Sequence, residues 1–372
     1  MPSFSTLIKP ASSLCNMRCR YCFYCDEAEN REIASYGIMS RETARSIIDR
    51  AFEYSGGRGN VSFAFQGGEP TLAGLPFFED FVAYADEIKP EKVTLNYSIQ
   101  TNGILIDEKW CDLFVRNRFL VGISVDGPEN INDRCRIYPS GEGTFAKVAD
   151  SIKLMKRLGV DFNILSVITK QSAAHPTQLW NYYKKNGFGF VQLIPCLAPL
   201  DNSGKSFDHA LSPAEYSSFL ITFFRLWADE FEKGNYVSVR LFDNLVNMAT
   251  GNMPEMCGMT GSCSAQCVIE ADGGVYPCDF YVLDRYLAGN INESSFADIL
   301  GSDTVRSFLS ESMKKPEACP NCRFYQICRG GCRRYRDFYM SGKSCPYAGF
   351  LESSYRRING IARALMRNSG KQ

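Results

Sequence analysis

The chain has 372 residues, 45% of them hydrophobic, and its Lys and Arg balance its Asp and Glu at 41 each. That is enough apolar material for a large core divided into about two structural units, and a formal charge of zero offers neither a basic face for nucleic acid nor an acidic tail. The opening MPSFSTLIKP lacks the pattern of a signal peptide and no run approaches 18 apolar residues, so a cytoplasmic protein without membrane contact is expected.

Strand-like and helix-like stretches alternate through the first 200 residues. Strands are predicted at 5–11, 61–68, 94–102, 119–127, 162–169 and 190–197, rich in β-branched and aromatic residues. Between them RETARSIIDRAFEYS, LPFFEDFVAYADEIK, DEKWCDLFVRN, TFAKVADSIKLMKRLG and PTQLWNYYKKNG carry helical patterns. Alternating β and α implies a parallel sheet with right-handed crossovers. Six such units make a partial (βα)6 barrel of the TIM type, with its chemistry on the loops at the C-terminal ends of the strands. A long amphipathic helix is predicted at 212–235. VIEADGGVYPCDF (268–280) reads as a β-hairpin turning at Asp-Gly-Gly. Residues 311–348 show little periodicity and hold five Cys, the composition of a small module folded around metal.

Sixteen cysteines against two histidines, His175 and His209, both far from any Cys cluster, point to all-thiolate sites. Cys15, Cys19 and Cys22 follow the first predicted strand as C-x3-C-x2-C, which places them at the active face of the barrel. A zinc site would recruit Cys25 as a fourth ligand. A [4Fe–4S] cluster on three thiolates would instead leave one iron open, as a catalytic metal centre requires.

C-x3-C-x2-C with an aromatic before its last Cys resembles the signature of the radical S-adenosylmethionine (SAM) superfamily. That resemblance implies SAM on the open iron and hydrogen abstraction by a 5′-deoxyadenosyl radical. It implies Tyr21 near the adenine and, from QGGEP after strand two, Gly67 and Gly68 letting the backbone approach the SAM amino group while Glu69 accepts from it. It further implies Ser124 and Asp126 on the ribose, Arg136 on the SAM carboxylate and Leu197 against the adenine. Taken singly, the same residues read as a packing aromatic, a glycine turn, a helix cap, a solvated arginine and a core leucine.

Cys263-x9-Gly273-x4-Cys278, then Cys319-x2-Cys322-x5-Cys328-x3-Cys332, then Cys345, resembles the seven-cysteine SPASM motif. With Cys257 this gives eight ligands. The resemblance implies one auxiliary [4Fe–4S] cluster on Cys257, Cys263, Cys278 and Cys332 and a second on Cys319, Cys322, Cys328 and Cys345, three clusters in all. A two-zinc ribbon is the structural alternative. Cys25, Cys111, Cys135, Cys196 and Cys267 are left as small hydrophobes or inert thiols. The implied organisation is a radical SAM barrel at 1–235, a SPASM domain with its hairpin at 236–348 and a helical tail at 349–372.

The segments LIKPASSLCNMRCRYCFY, SFAFQGGEPTLAGL, QTNGILID, FLVGISVDGP, CGMTGSC, GGVYPCDFYVLD and CRGGCRR are similar to those of the anaerobic sulfatase-maturating enzymes, from about residue 5 to 350. The similarity implies oxidation of a sulfatase Cys or Ser, in a Cys/Ser-x-Pro/Ala-x-Arg segment, to Cα-formylglycine. It implies Asp279 as general base, Tyr24 and Gln66 orienting the substrate, and a flavodoxin- or ferredoxin-type electron donor serving a monomer. The segment INDRCRIYPS departs from the family and bears on Arg136. The rival reading is a SPASM enzyme that crosslinks a ribosomally made peptide. The 14 residues before Cys15 would not hold the recognition domain many of those carry, and Asp directly after Cys278 favours sulfatase maturation. A non-catalytic binding protein with structural zinc or electron-carrier clusters would not need the Gly-Gly-Glu segment or an open thiol triplet.

Overall fold

The computed structural model describes residues 3–200, 207–339 and 345–369. Residues 201–206 lie outside the described residues, as do the last residues of the expected tail. Six parallel strands appear where they are predicted: β1 (Ser3–Ile8), β2 (Arg58–Phe65), β3 (Lys92–Thr101), β4 (Leu120–Ser124), β5 (Phe162–Ile168) and β6 (Phe190–Pro195). Each is joined to the next by at least one helix, the arrangement a parallel pair requires.

Local chemistry accounts for these elements. The helix Arg41–Tyr54 starts at Ser40, whose side chain accepts from Thr43 N, and it buries Ala44, Ile47, Ile48 and Ala51 at i, i+3, i+4 and i+7. The helix Phe145–Leu158 stops at Gly159, which adopts φ +74°. Along β2 the buried residues Gly59, Val61, Phe63 and Phe65 alternate with less buried ones. The buried set meets the helix layer, where Phe65 packs edge-on against Phe78 with ring centroids 5.0 Å apart. The opposite face is concave: Leu7, Gln100, Ser124, Leu165, Val167, Gln192 and Ile194 line a cavity.

The sheet has ten strands, in the order β10-β9-β8-β1-β2-β3-β4-β5-β6-β7, and it does not close. Beyond β6 lies β7 (Ser238–Val239). At the other edge the predicted hairpin, β8 (Val268–Ile269) and β9 (Gly274–Tyr276), is followed by β10 (Gly289–Asn290). The hairpin is no separate module: β8 runs parallel to β1, with Leu7 opposite Val268 and Ile8 opposite Ile269. Two-residue strands are too short to leave a periodic signal. The low-periodicity stretch holds short helices at Tyr325–Cys328 and Arg333–Tyr339. The C-terminal helix Pro346–Ser369 folds back onto Pro213–Glu232 and Arg240–Ala249, with Phe350 against Phe224 at 5.7 Å and Phe242 at 6.0 Å. Among the described residues no helix is long and apolar enough to cross a membrane.

Candidate active site

The loop after β1 carries Cys15, Cys19 and Cys22 and ends at the helix Phe23–Glu29. Its backbone is pinned on two sides. Arg18 N donates to Ile137 O (2.8 Å) and Arg20 N to Cys135 O (3.0 Å). On the other side Gly68 N donates to Ser12 O (2.8 Å) and Glu69 N to Leu14 O (2.7 Å). A Cβ on Gly68 would stand 2.1 Å from Leu14 O, so the Gly-Gly-Glu turn is bare because the thiol-bearing loop lies directly against it. The expected reason, close approach to SAM, is therefore joined by a stronger one within the protein itself.

Glu69 lines the cavity but its carboxylate is largely engaged. Oε1 accepts from Thr71 N (3.0 Å), Thr71 Oγ1 (2.6 Å) and Thr101 Oγ1 (2.8 Å), and Oε2 accepts from Asn102 N (2.7 Å). Burial raises its carboxyl above the usual range while these donors pull it back. Oε2, with one protein donor, is the oxygen with capacity to spare.

Tyr21, Asp126 and Arg136 form one chain, with Asp126 and Arg136 buried and Tyr21 half-buried. Arg136 Nη1 donates to the Tyr21 hydroxyl (2.9 Å), and that hydroxyl donates to Asp126 Oδ2. Asp126 Oδ1 accepts from Val167 N (2.9 Å). Ser124, Tyr21, Arg136 and Leu197 line the cavity; Asp126 does not. Asp126, expected at the ribose, has its two oxygens held by Tyr21 and Val167 N and does not itself line the cavity. Arg136 is buried and its Nε has no partner, an orphaned donor close to Cys19, whose charge acts on it.

Asp279 follows β9 and Cys278 and enters the same cavity from the opposite wall. Tyr24 donates to Asp279 Oδ2 (3.0 Å), the Gln66 side chain interacts with the same carboxylate and lowers its pKa, and Asp279 Oδ1 is buried with no hydrogen bond of good geometry. Burial pushes the carboxyl up, against the pull of the Lys9 ammonium. Tyr24, Gln66 and Asp279, residues from three separate segments, are brought together at the cavity.

The cysteines fall into three groups by their mutual electrostatic interactions. Cys15, Cys19 and Cys22 interact with one another, and each also interacts with Cys25, which stands against Cys22. Cys257, Cys263, Cys278 and Cys332 form a second set. Cys319, Cys322, Cys328 and Cys345 form a third. Burial pushes the Cys15 thiol up to about 12 and the Cys19 thiol up to about 11, so both are neutral unless a cation compensates, as bound iron would. Among the described residues no three His, Cys, Asp or Glu side chains converge closely enough for one metal ion. An iron–sulfur cluster presents its irons over a wider volume, and the donor sets, all thiol, fit it chemically. Cys25, expected to be inert, lies in the cavity beside Cys22.

The cavity of about 890 Å³ is bounded by the first two thiol groups, the Tyr21–Arg136 pair and the Tyr24–Asp279 pair. A second hollow of about 490 Å³ beside His175 has no cysteine or carboxylate in its wall. Sequence reasoning missed Asn102, Gln266 and Lys9. Asn102 Nδ2 donates to Asn16 Oδ1 (2.7 Å) and reaches Cys15 Sγ at 3.8 Å; its signal was its place in QTNG at the end of β3. Gln266 Nε2 reaches Cys257 Sγ at 3.5 Å, and no pattern marked it. Lys9 is the last-but-one residue of an apolar strand motif, LIKP, and a buried cation there leaves no periodic trace.

Residues 10–178 match the model of the Radical SAM superfamily, and 257–323 match that of the SPASM iron–sulfur cluster-binding domain. The chain is 44% identical over 371 residues to a cysteine-type anaerobic sulfatase-maturating enzyme of Clostridium novyi, covering 98% of this chain and 99% of the relative. It is 30% identical to a serine-type anaerobic sulfatase-maturating enzyme of Bacteroides thetaiotaomicron, covering 94% and 87%. Its structure matches that of native anSMEcpe with bound AdoMet and Cp18Cys peptide at a TM-score of 0.91 and 40% identity, over 98% of this chain and all of that one.

Proposed function

The chain belongs to the cysteine-type anaerobic sulfatase-maturating enzymes, radical SAM proteins with a SPASM domain, and we propose how its own residues carry the reaction of that family. It uses SAM and iron–sulfur clusters, and it converts the active-site Cys of a sulfatase to Cα-formylglycine. We assign three [4Fe–4S] clusters, on Cys15, Cys19 and Cys22; on Cys257, Cys263, Cys278 and Cys332; and on Cys319, Cys322, Cys328 and Cys345. When bound, these groups and SAM supply a radical that removes a hydrogen atom from the substrate Cβ and an acceptor for the electron released afterwards.

The protein does the rest. Arg136, held by Tyr21, offers its free Nε to the SAM carboxylate. Ser124 and Leu197 meet ribose and adenine, Gly67 and Gly68 form the wall near the SAM amino group, and Glu69 Oε2 accepts from it. Asp126 acts behind them by fixing Tyr21. The Asp279 carboxylate takes the proton that the substrate thiol must lose as the side chain becomes a thioaldehyde, which water then hydrolyses to the aldehyde with release of hydrogen sulfide, while Tyr24 and Gln66 hold the carboxylate and the thiol in line. The single observation that carries this reading is that Asp279, bonded to Tyr24, lines the same cavity as the thiol triplet. The substrate we expect is a sulfatase segment Cys-x-Pro-x-Arg, with a flavodoxin or ferredoxin as electron donor. We divide the chain at about 235 and 348 into barrel, SPASM domain and tail, acting as a monomer.

The test is anaerobic. Protein reconstituted with iron and sulfide is reduced and given SAM and a Cys-x-Pro-x-Arg peptide. The expected result is a peptide mass in which the thiol is replaced by an aldehyde, with 5′-deoxyadenosine formed alongside. Asp279→Asn should leave SAM cleavage in place and abolish the mass change. An unaltered peptide beside abundant 5′-deoxyadenosine would overturn the substrate, and an active Asp279→Asn would overturn the base.

A further inference from the structure

Behind the Tyr24–Asp279 pair lies a buried cluster of charges that the proposed reaction does not use. Lys9, 1% exposed, places its Nζ 2.8 Å from Glu270 Oε1 and 3.7 Å from Glu27 Oε2. Arg31 Nη1 clamps the same Glu270 oxygen at 2.6 Å. Glu27 Oε1 accepts from Val282 N (3.2 Å), three residues beyond Asp279. All four side chains are essentially out of solvent. Desolvating the Lys9, Glu270 and Arg31 charges is costly, so a buried ionic cluster of this kind is weak evidence for stability.

Lys9 is the common member. Its N–H donates to Ile269 O (2.8 Å), extending the β1–β8 junction. Its stem lies under the Gly-Gly-Glu turn, where a Cβ on Gly67 would meet Lys9 Cβ and Cγ at 3.1 Å. Its ammonium sits 5.1 Å from the centre of the Tyr24 ring and acts electrostatically on Asp279. One residue therefore touches the barrel sheet, the hairpin, the Gly-Gly-Glu turn and the ring that holds the proposed base.

We propose that Lys9 is a positioning residue for substrate oxidation: anchored by Glu270, Arg31 and Glu27, it sets the Tyr24–Asp279 pair relative to the SAM side of the cavity. The proposal rests on Asp279 acting on the substrate. It predicts a defect in the steps after hydrogen abstraction and no defect in binding, because Lys9 does not line the cavity.

The experiment compares wild type with Lys9→Met, Lys9→Arg, the double variant Lys9→Met/Glu270→Gln and Asp279→Asn, all reconstituted. Peptide product, 5′-deoxyadenosine, peptide KM, peptide Kd and melting temperature are measured for each. The double variant removes both partners of the 2.8 Å pair, so it keeps the test alive if Lys9→Met does not fold. Expected for Lys9→Met and the double variant is a product yield per 5′-deoxyadenosine lower by on the order of tenfold to a hundredfold. Their peptide KM and Kd should stay within about twofold of wild type, and Lys9→Arg should recover most of the yield. Wild-type coupling in folded Lys9→Met or double variant would overturn the proposal, and so would a loss that appears only in KM and Kd. If Asp279→Asn itself forms product, the reading of Asp279 fails first; if it does not and the Lys9 variants do, only the role of Lys9 falls.

Discussion

The Tyr24 hydroxyl donates to Asp279 Oδ2 at 3.0 Å, joining two residues 255 positions apart in the chain. The bond leaves Oδ1 of the same carboxylate with no hydrogen bond of good geometry. Tyr24→Phe removes the donor and keeps the ring. A hydrogen bond to a charged group contributes about 1.5–3 kcal/mol, so product formation should fall about tenfold or more. SAM cleavage should persist, because Tyr24 does not touch the Tyr21–Arg136 chain. Parallel assays of peptide mass and 5′-deoxyadenosine check this, and an equal fall in both would assign Tyr24 to the SAM side instead.

Gly68 stands against the carbonyl of Leu14 with no space for a side chain. Gly68→Ala must push the thiol-bearing loop away from the end of β2, at a cost of about 1–3 kcal/mol or more. The expected result is a lower melting temperature and selective loss of iron from the site at Cys15, Cys19 and Cys22. SAM cleavage should be lost with it. Iron analysis and the melting curve are the readouts, and a variant with full iron and wild-type stability would contradict the close approach.

The two auxiliary thiol sets can be told apart by counting. With three four-iron clusters the reconstituted chain holds about twelve irons. Cys332→Ala and Cys345→Ala should each hold about eight, and the double variant about four. Cys278→Ala/Cys332→Ala, with both losses in one set, should stay near eight. If that pair drops to about four, the division into sets is wrong.

Burial pushes the Glu27 carboxyl well above its usual range, more than the neighbouring Lys9 ammonium pulls it down. A carboxyl raised on folding binds its proton more tightly in the native state than in the unfolded chain. Its contribution to stability is therefore best at low pH and is lost as pH rises from the unfolded pKa, about 4.3, through the higher folded value. Glu27→Gln keeps an oxygen for Val282 N and cannot ionise. It should melt above wild type at pH 8, and the gap should narrow toward pH 5. A gap that widens on acidification would mean that Glu27 is held as a carboxylate by Lys9. Glu270 has the opposite sign: Lys9 and Arg31 outweigh burial and hold it below the usual range, so its contribution is present above about 4.3 and fades as pH falls further.

Much of the site is legible in the chain alone. Cysteine spacing is a local property, and C-x3-C-x2-C behind a strand marks a loop that can hold one cluster face. The β/α alternation is equally local, so β1 to β6 and the long helix at Pro213–Glu232 stand where periodicity put them. Asp279 is singled out by the family resemblance, as the residue directly after Cys278.

Contacts between distant segments settled the rest. The hairpin joins the barrel sheet through the β8–β1 pairing, four residues in two-residue registers that no pattern reveals. That pairing carries Glu270 to Lys9 and Asp279 to Tyr24. The packing of the barrel also put Asp126 behind Tyr21 rather than in the cavity wall. Charge type and spacing are properties of the chain itself. Which charges lose their water, and which partner each then finds, depends on how the sheet edges meet.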